Sequence, residues 1–320
     1  MKPEISVIVC ERNSEKFIEE CIESIMQQEF KDFELIVVDD YSADKTKEKI
    51  KELQKKHSIR LIELKEHKGI SKARNHGIKA AQGKFIAFID SDCIAEKDWL
   101  KELKKGFEEN TVSVGGPNIV PANASQKEKI FDELLLLISG LGSNYVKNSK
   151  EITEAKHNPS CNSMYSKEIL EKMNGFNEKL SSNEDPELDF RINKTGKKIK
   201  FNPKAVVFHH RKDSAGKIFS QAFWFGLGRT QAMKLHFGMT EYYRIIPSLS
   251  ILLIIVLFFY GFFTARTEFF FCFAFALIFL FAFISLYSMI KFRRLSVYYF
   301  VFFVSWFFGY GFGMLKGVIK

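Results

Sequence analysis

At residues 84–93 the chain reads Lys84-Phe85-Ile86-Ala87-Phe88-Ile89-Asp90-Ser91-Asp92-Cys93, an apolar run that ends in two carboxylates. A short apolar run after a glycine, here Gly83, is typical of a buried strand. In an open α/β sheet the carboxyl ends of the strands face the ligand crevice, so we expect Asp90 and Asp92 to lie there. Two carboxylates one residue apart can share a Mg²⁺ or Mn²⁺ ion bound to nucleotide phosphates. The alternative is that they cap a helix predicted to begin near Glu96.

Around this stretch, the first 115 residues alternate between short apolar runs and charged segments with helical periodicity. The predicted strands are Ile5–Cys10, Phe33–Asp39, Ile59–Leu64, Lys84–Asp90 and Val112–Gly115, and the predicted helices are Glu15–Gln28, Asp44–Lys56, Ser71–Ala81 and Glu96–Glu109. Such β-α-β-α alternation predicts an α/β fold, in which a mostly parallel, Rossmann-like sheet is flanked by helices. No GxGxxG follows the first strand, so the dinucleotide-binding fingerprint is absent.

The composition changes at residue 245, where long apolar segments begin. Three transmembrane helices are predicted at about 245–263, 269–290 and 295–315, each near the length that crosses a bilayer. Lys291, Arg293 and Arg294 lie on the second link, which the positive-inside rule assigns to the cytoplasm. The N-terminal apolar run, Ile5–Cys10, is too short for a signal peptide. We therefore expect a multi-pass protein of the cell membrane with a cytoplasmic N-terminal domain.

The predicted domains are an α/β domain over residues 1–212, an interfacial region over 213–244 and a membrane domain over 245–320. Aromatic and basic residues alternate irregularly between 213 and 237, which favours an amphipathic helix in the lipid headgroup layer or an ordinary surface helix packed on the domain. The leucine-rich run 133–138 is too short to span a bilayer, so it predicts either a core helix or a helix at the membrane surface.

Charge and cysteine content give no indication of a nucleic-acid partner, a zinc site or a disulfide framework. The formal net charge is +9, but residues 245–320 carry six basic residues against one acidic residue. More than half of the excess therefore lies beside apolar segments, and no nucleic-acid partner is needed to explain it. The five cysteines are far apart and form no CxxC pair, so neither a zinc site nor a disulfide framework is predicted.

Further polar groups are expected at the same edge of the sheet as Asp90. The first strand ends at Cys10 and Glu11 and the second at Asp40, where a carboxylate can accept a hydrogen bond from a nucleotide base. Asp40 could instead cap the following helix. Arg74 lies early in a predicted helix, where its guanidinium could bind a diphosphate through two hydrogen bonds or remain solvated.

Asp185 is the candidate general base. Transfer of a group from a phosphate leaving group to a hydroxyl needs a carboxylate to take the proton and a metal to stabilise the departing charge. Pro186 suits the first helical position, which predicts Asp185 at the N-cap, where the helix dipole favours the anion. Capping alone would also explain an aspartate there. His209 and His210 could complete a metal shell or contact phosphate.

Five ordered segments are similar to the motifs of one enzyme family. They read Ile5-Ser6-Val7-Ile8-Val9-Cys10-Glu11-Arg12-Asn13, Val37-Val38-Asp39-Asp40-Tyr41-Ser42, Gly69-Ile70-Ser71-Lys72-Ala73-Arg74-Asn75, Phe88-Ile89-Asp90-Ser91-Asp92 and Asn183-Glu184-Asp185-Pro186-Glu187-Leu188. The chain thus resembles a family 2 glycosyltransferase of the GT-A fold, of the membrane-anchored type. The resemblance implies a nucleotide-diphospho-sugar donor, a Mg²⁺ or Mn²⁺ cofactor, inversion at the anomeric carbon and a role in polysaccharide or glycan biosynthesis.

The resemblance also implies roles for individual residues. Asp90 and Asp92 would bind the metal, Asp185 would be the base, and Cys10, Glu11, Asp40, Arg74 and Asp90 would bind the nucleotide-sugar. Possible acceptor or phosphate contacts are Glu184, His209, His210, Gln221 and Arg229. The acceptor is expected to be a lipid-linked saccharide, and the protein should contact membrane lipids.

The sequence departs from the family's usual pattern in two places. Cys10-Glu11-Arg12-Asn13 stands where Pro-Thr-Tyr-Asn is usual, and Gln221 is not followed by the Arg-Trp pair of processive synthases. The second departure favours a bacterial-exopolysaccharide or archaeal type over a polymerase. The alternatives are a polyprenyl (dolichyl)-phosphate sugar synthase and a non-catalytic, nucleotide-binding membrane scaffold. A transporter is disfavoured because the spans lack charged residues.

Overall fold

The computed structural model describes residues 2–139 and 150–319. It divides the chain into two compact units. The first contains Met1–Ala122, Ser139–Leu180 and Glu184–His210, and the second contains Asn123–Ile138, Ser181–Asn183 and Arg211–Lys320.

The apolar runs form strands of the first unit within one residue of the predicted bounds. These are β1 (Ile5–Glu11), β2 (Phe33–Asp39), β3 (Ile59–Glu63), β4 (Phe85–Asp90) and β6 (Thr111–Gly115); the remaining strands are β5 (Cys93–Ala95), β7 (Asn118–Ile119), β8 (Thr153–Ala155), β9 (Asn162–Ser166), β10 (Lys198–Phe201) and β11 (Val207–His209). The main sheet has the order β3-β2-β1-β4-β9-β6-β10-β8, and β5-β11-β7 form a small second sheet. Only β8 and β9 run antiparallel to their neighbours in the main sheet. The predicted mostly parallel α/β sheet is confirmed.

The helices of this unit cover both faces of the main sheet. They are α1 (Ile18–Met26), α2 (Thr46–Leu53), α3 (Ile70–Ala80), α4 (Trp99–Lys105), α6 (Lys167–Lys172) and α7 (Glu184–Asn193). Alternate side chains of each central strand point to opposite faces. Val7 and Val9 therefore join one apolar core with α1, α2 and α4, while Ile8 and Cys10 join a second core with α3, α6 and α7.

The second unit is helical. It contains α5 (Gln126–Ser139), α8 (Ala215–Leu235), two 3₁₀ turns (Phe237–Met239 and Tyr242–Ile245), α9 (Ile246–Thr264), α10 (Glu268–Lys291) and α11 (Tyr298–Ile319). Phe131 of α5 packs against Phe302 of α11, as expected of a core helix. Helix α8 packs closely along α11: a Cβ on Gly313 would lie 1.9 Å from the backbone oxygen of Phe223.

Three helices of the second unit are long and apolar enough to cross a membrane, judged by length and composition. They are Tyr242–Thr264, Glu268–Lys291 and Tyr298–Ile319. Large apolar side chains on α10 face outward; Phe275 and Phe279, for example, are 68% and 75% exposed. Exposed apolar surface of this extent is typical of helices that contact lipid.

Candidate functional site

The ends of β1, β2 and β4 lie side by side in the main sheet. Glu11 is the register partner of Asp39, and Cys10 is the register partner of both Val38 and Asp90. Because the three strands are parallel, their carboxyl ends open at one edge. The structure therefore brings together there Cys10, Glu11 and Asp90, and Asp40 follows directly after β2.

Asp90, Asp92 and His209 form a cluster that suits a hard divalent cation. One ligand atom from each lies within 4.8 Å of the others, and His209 Nε2 is 3.2 Å from Asp92 Oδ1. Two carboxylates and an imidazole are a donor set that Mn²⁺ or Mg²⁺ accepts. The capping alternative for both aspartates is wrong, because they are followed by β5 and the next helix, α4, begins only at Trp99.

Arg74 is buried between two carboxylates. Its Nη1 donates to Glu184 Oε1, and its Nη2 lies 3.1 Å from Asp90 Oδ1. Burial raises the pKa of Asp90 and of Glu184, and Arg74 opposes that rise in both. Burial opposes the charge on Arg74, but Glu184 and Asp90 outweigh it and raise the pKa of Arg74 above its usual value. With 4% of its surface exposed, Arg74 is a buried cation that favours the ionised form of both carboxylates.

Asp40 binds the segment that leads into α3. Its Oδ1 accepts a hydrogen bond from the Lys68 N–H at 2.6 Å, and its Oδ2 accepts one from the Gly69 N–H at 2.9 Å. His67 Nδ1 lies 2.7 Å from the same Oδ2. The alternative that Asp40 caps α2 is wrong, because that helix begins at Thr46 and Asp40 bonds the start of α3 instead.

Glu11 connects the tips of β1 and β2. Its carboxyl lies within 3.4 Å of the Ser42 hydroxyl, which also accepts a hydrogen bond from the Asn13 N–H at 2.9 Å. Burial, then the hydrogen bond with Asp39, raises the pKa of Glu11 to about 9. Burial likewise raises the pKa of the Cys10 thiol to about 12. At neutral pH both groups are therefore uncharged next to Asp39 and Asp90.

Asp185 lies in the first turn of α7. The helix begins at Glu184, so the predicted N-cap position of Asp185 is wrong by two residues: Asn183, with φ 62°, occupies it. The Asp185 Oδ2 accepts a hydrogen bond from the Ser160 N–H at 3.1 Å. Within residues 2–139 and 150–319, no hydrogen bond reaches Oδ1 of Asp185. One oxygen thus anchors the carboxylate and the other remains available to accept a proton.

His157 and Asp189 extend this network and were not expected from the sequence. His157 Nδ1 lies 2.8 Å from Asp189 Oδ2, and its Nε2 lies 4.0 Å from Asp185 Oδ2. Asp189 is fully buried and also accepts hydrogen bonds from the Asn158 N–H and the Tyr165 hydroxyl, each at 2.9 Å. The sequence signal was the four-residue spacing of Asp185 and Asp189, which places both on one face of α7.

Two buried cysteines lie close to His209, the imidazole of the acidic cluster. The thiols of Cys93 and Cys161 and a ring nitrogen of His209 lie within 4.8 Å of one another. A hydrogen bond with Cys93 lowers the pKa of Cys161; burial opposes this and His209 adds to it. The sequence predicted no zinc site, but β5 and the start of β9 bring together thiols that are distant in sequence, at a spacing that could hold a metal ion.

The remaining predicted contacts lie in different surroundings. His210 Nε2 is 3.4 Å from Glu20 Oε2 in the first unit, and the His210 ring packs on Phe17. Gln221 and Arg229 are both on α8, in the second unit. The structure therefore groups Glu184 and His209 with the acidic cluster of the first unit. His210 contacts Asp92 through its backbone N–H, while its side chain faces Glu20.

The family model and the similar proteins all indicate one enzyme family. The model of glycosyl transferase family 2 matches residues 6–173. EpsJ of Bacillus subtilis, named an uncharacterized glycosyltransferase, is 30% identical over 225 residues, which cover 67% of this chain and 63% of EpsJ. A Methanococcus voltae relative, named a dolichyl N-acetyl-α-D-glucosaminyl phosphate 3-β-D-2,3-diacetamido-2,3-dideoxy-β-D-glucuronosyltransferase, is 29% identical over 237 residues, covering 70% of this chain and 72% of the relative.

Among solved structures, the mannosyltransferase PcManGT from Pyrobaculum calidifontis, in complex with GDP-Man and Mn²⁺, superposes with a TM-score of 0.58 at 19% identity. The match covers 73% of this chain and 65% of that one. It supports the expected GT-A fold. The chain spans less than two thirds of EpsJ and of this neighbour.

Proposed function

The chain belongs to glycosyl transferase family 2, and from this premise we propose that it transfers a sugar from a nucleotide-diphospho-sugar to a lipid-linked saccharide, with inversion at the anomeric carbon. The observation that carries the proposal is the convergence of Asp90, Asp92 and His209 with the Arg74–Glu184 pair in one unit. Asp185 follows Glu184 directly in α7. Cation ligands and a general base are thus available on one scaffold.

In the proposed reaction, each group of site residues has a separate role. Asp90, Asp92 and His209 would hold a divalent ion, which when bound neutralises charge on the departing diphosphate. Arg74 favours the ionised form of Asp90 and fixes the position of Glu184. Asp185 accepts the proton of the acceptor hydroxyl at its Oδ1, while Ser160 holds Oδ2. Cys10, Glu11 and Asp40 would line the nucleotide side of the same sheet edge.

A lipid-linked acceptor is supported by a cationic cluster in the second unit. Arg244 pairs with Glu241, and Arg229 Nη1 lies 3.9 Å from the same carboxylate. Arg229 Nε is buried and has no hydrogen-bond partner in the part of the chain that the structure describes. Two guanidinium groups on one carboxylate leave a net positive charge, which suits a phosphate group. The relative named for a dolichyl-phosphate-linked acceptor supports the same substrate class.

The cytoplasmic face of the cell membrane is the proposed location. Two apolar helices, α9 and α10, precede the link that carries Lys291, Arg293 and Arg294. If both helices span, this basic link and the chain before α9 lie on the same side, and the positive-inside rule assigns that side to the cytoplasm.

The general-base role is tested by replacing Asp185 with asparagine. The full chain in detergent is assayed with a panel of nucleotide-sugars, Mn²⁺ and lipid-linked saccharide acceptors, and donor binding is measured separately. We expect transfer to fall by about 10²–10⁴-fold while donor affinity stays unchanged, because the base acts on the acceptor. Asp98→Asn is the matched control: Asp98 also stands at the start of a helix, and its side chain makes no capping hydrogen bond.

Near-normal turnover in Asp185→Asn would overturn the general-base mechanism. Retained transfer to polyprenyl phosphate in that variant would favour the polyprenyl-phosphate sugar synthase, whose acceptor needs no strong base. Absence of both transfer and donor hydrolysis in the unaltered protein would favour the nucleotide-binding scaffold.

The acceptor class is tested by replacing Arg229 with glutamine. We expect the KM for a lipid-phosphate-linked acceptor to rise by about tenfold, since one charged hydrogen bond to phosphate is lost. The KM for the donor should not change. An equal loss with a saccharide acceptor that lacks lipid and phosphate would contradict the phosphate-binding role.

A further inference from the structure

Two thiols and an imidazole form a second cluster of metal-ligating atoms beside the acidic one. Cys93 begins β5 and Cys161 immediately precedes β9. Their side chains are buried, with 1% and 5% exposed. His209 ends β11 and is the register partner of Cys93. Backbone pairing therefore holds Cys93 opposite His209, independently of any ligand, and Cys161 joins them through side-chain contacts.

The spacing of the ligand atoms suits a tetrahedral ion. Sulfur atoms bound at about 2.3 Å to a tetrahedral Zn²⁺ lie about 3.8 Å apart. The two sulfurs and the His209 nitrogen already lie within 4.8 Å of one another. Side-chain rotations that move each atom by less than about 1 Å would close the remaining gap. On binding, each thiol would release its proton to solvent, with no change of oxidation state.

The same imidazole belongs to both clusters. His209 Nε2 lies 3.2 Å from Asp92 Oδ1, and a ring nitrogen of His209 is also within 4.8 Å of both thiols. Carboxylates favour Mg²⁺ and Mn²⁺, whereas thiolates favour Zn²⁺ and similar ions. His209 is 17% exposed at its side chain, so it also offers a path from solvent to the buried sulfurs. A hard ion bound by the carboxylates and a thiophilic ion bound by the thiols would therefore compete for His209.

A purely structural explanation accounts for part of the cluster. Asn118 Nδ2 donates a hydrogen bond to Cys161 Sγ at 3.3 Å, as in an ordinary buried polar contact. Cys161 is also hydrogen-bonded to Cys93 and to His209. These contacts hold the same three atoms at ligand spacing, so a metal titration must distinguish the two explanations.

We propose that Cys93, Cys161 and His209 form a second cation site, selective for a thiophilic divalent ion such as Zn²⁺, and that filling it withdraws His209 from Asp90 and Asp92. Binding at the thiols stands on geometry alone. The consequence, that Zn²⁺ weakens Mn²⁺ binding and so inhibits sugar transfer, rests on the proposed function.

Cobalt substitution tests the site directly. The reduced full chain in detergent is titrated with Co²⁺ and monitored for thiolate-to-cobalt charge-transfer absorption. We expect one equivalent of Co²⁺ to produce the band and Zn²⁺ to remove it. The band should be absent in a Cys93→Ser and Cys161→Ser double variant and persist in Cys272→Ser, the control for an exposed thiol. It should also persist when Asp90 and Asp92 are both replaced by asparagine. Absence of the band in the unaltered protein, or its persistence in the double serine variant, would overturn the proposal.

Mn²⁺ binding, followed by electron paramagnetic resonance, tests the shared ligand. With Zn²⁺ present we expect the Kd for Mn²⁺ to rise by at least about tenfold in the unaltered protein, and by less than about twofold in the double serine variant. A cobalt band without any effect of Zn²⁺ on Mn²⁺ binding would refute the sharing of His209. A cobalt band in a protein that transfers no sugar would leave the thiol site standing and overturn the proposed function instead.

Discussion

Replacing Arg74 with methionine is expected to destabilise the first unit strongly, because it removes the charge partner of a buried carboxylate. The side chains of Arg74 and Glu184 are 5% and 8% exposed, whereas that of Asp90 is 35% exposed. Breaking a buried pair by removing one partner costs about 3–5 kcal/mol. Most of this cost should come from Glu184, since water screens the charge of the more exposed Asp90.

Thermal unfolding of the detergent-solubilised protein measures this loss. For a unit of about 150–250 residues, 1 kcal/mol shifts the Tm by about 2–4 °C, so Arg74→Met should lower the Tm by about 6–20 °C. The double variant Arg74→Met and Glu184→Gln removes both charges and should recover much of the loss. A double-mutant cycle with Glu184→Gln should give a coupling free energy of about 2 kcal/mol or more.

The loss of Tm in Arg74→Met should also depend on pH, in a direction that follows from the pKa of Glu184. Burial raises the pKa of Glu184 and Arg74 opposes that rise, so the pKa of Glu184 should increase further in Arg74→Met. A group with a raised pKa in the folded state stabilises at low pH and loses that contribution as the pH rises. The Tm deficit of Arg74→Met should therefore be smaller at pH 5 than at pH 8. A Tm loss below about 2 °C, or a double variant no more stable than Arg74→Met, would refute the reasoning.

Two further predictions concern the neighbours of this pair. The pKa of Glu11 is raised to about 9, so unfolding releases a proton between pH 5 and 9, and the free energy of unfolding falls by up to about 1.4 kcal/mol for each pH unit of increase. Glu11→Gln should remove the resulting fall of Tm with rising pH. An unchanged dependence of Tm on pH would contradict a neutral Glu11. His157→Gln should lower the kcat of transfer by about 10–100-fold and leave the KM for the donor unchanged, because His157 positions Asp185 without contacting the donor. A rise in the donor KM alone would instead indicate that His157 binds the donor.

The part of the fold that the sequence predicted is the part with local apolar patterns. β1 to β4 and β6 were predicted within one residue because each is a short segment rich in apolar and β-branched residues between charged helical segments. β9 was not predicted, because Asn162 and Ser163 are polar yet fully buried. Asn162 accepts a hydrogen bond from Trp99 Nε1 at 2.8 Å and donates to two backbone carbonyls. Its burial depends on partners distant in sequence, which hydrophobic periodicity does not report.

The same limit applies to the candidate site. The Asp90–Asp92 pair stands out locally, because two charges end an apolar strand. The link between His157 and Asp189 does not, because it joins a loop to a helix and depends on the packed fold. The closeness of Cys93 and Cys161 also depends on tertiary structure, so the absence of a CxxC spacing gave no indication of it.

The three-residue strand β11 sets the position of His209, the imidazole that both candidate cation sites share. β11 pairs with β5 so that His209 lies opposite Cys93, and the next residue, His210, donates its N–H to the Asp92 carbonyl at 3.0 Å. A register shift of one residue would turn the His209 side chain to the opposite face of this small sheet. Both candidate cation sites would then lose their imidazole together. In the proposed arrangement, the choice between the two ions would therefore depend on the register of two three-residue strands, which no local sequence pattern encodes.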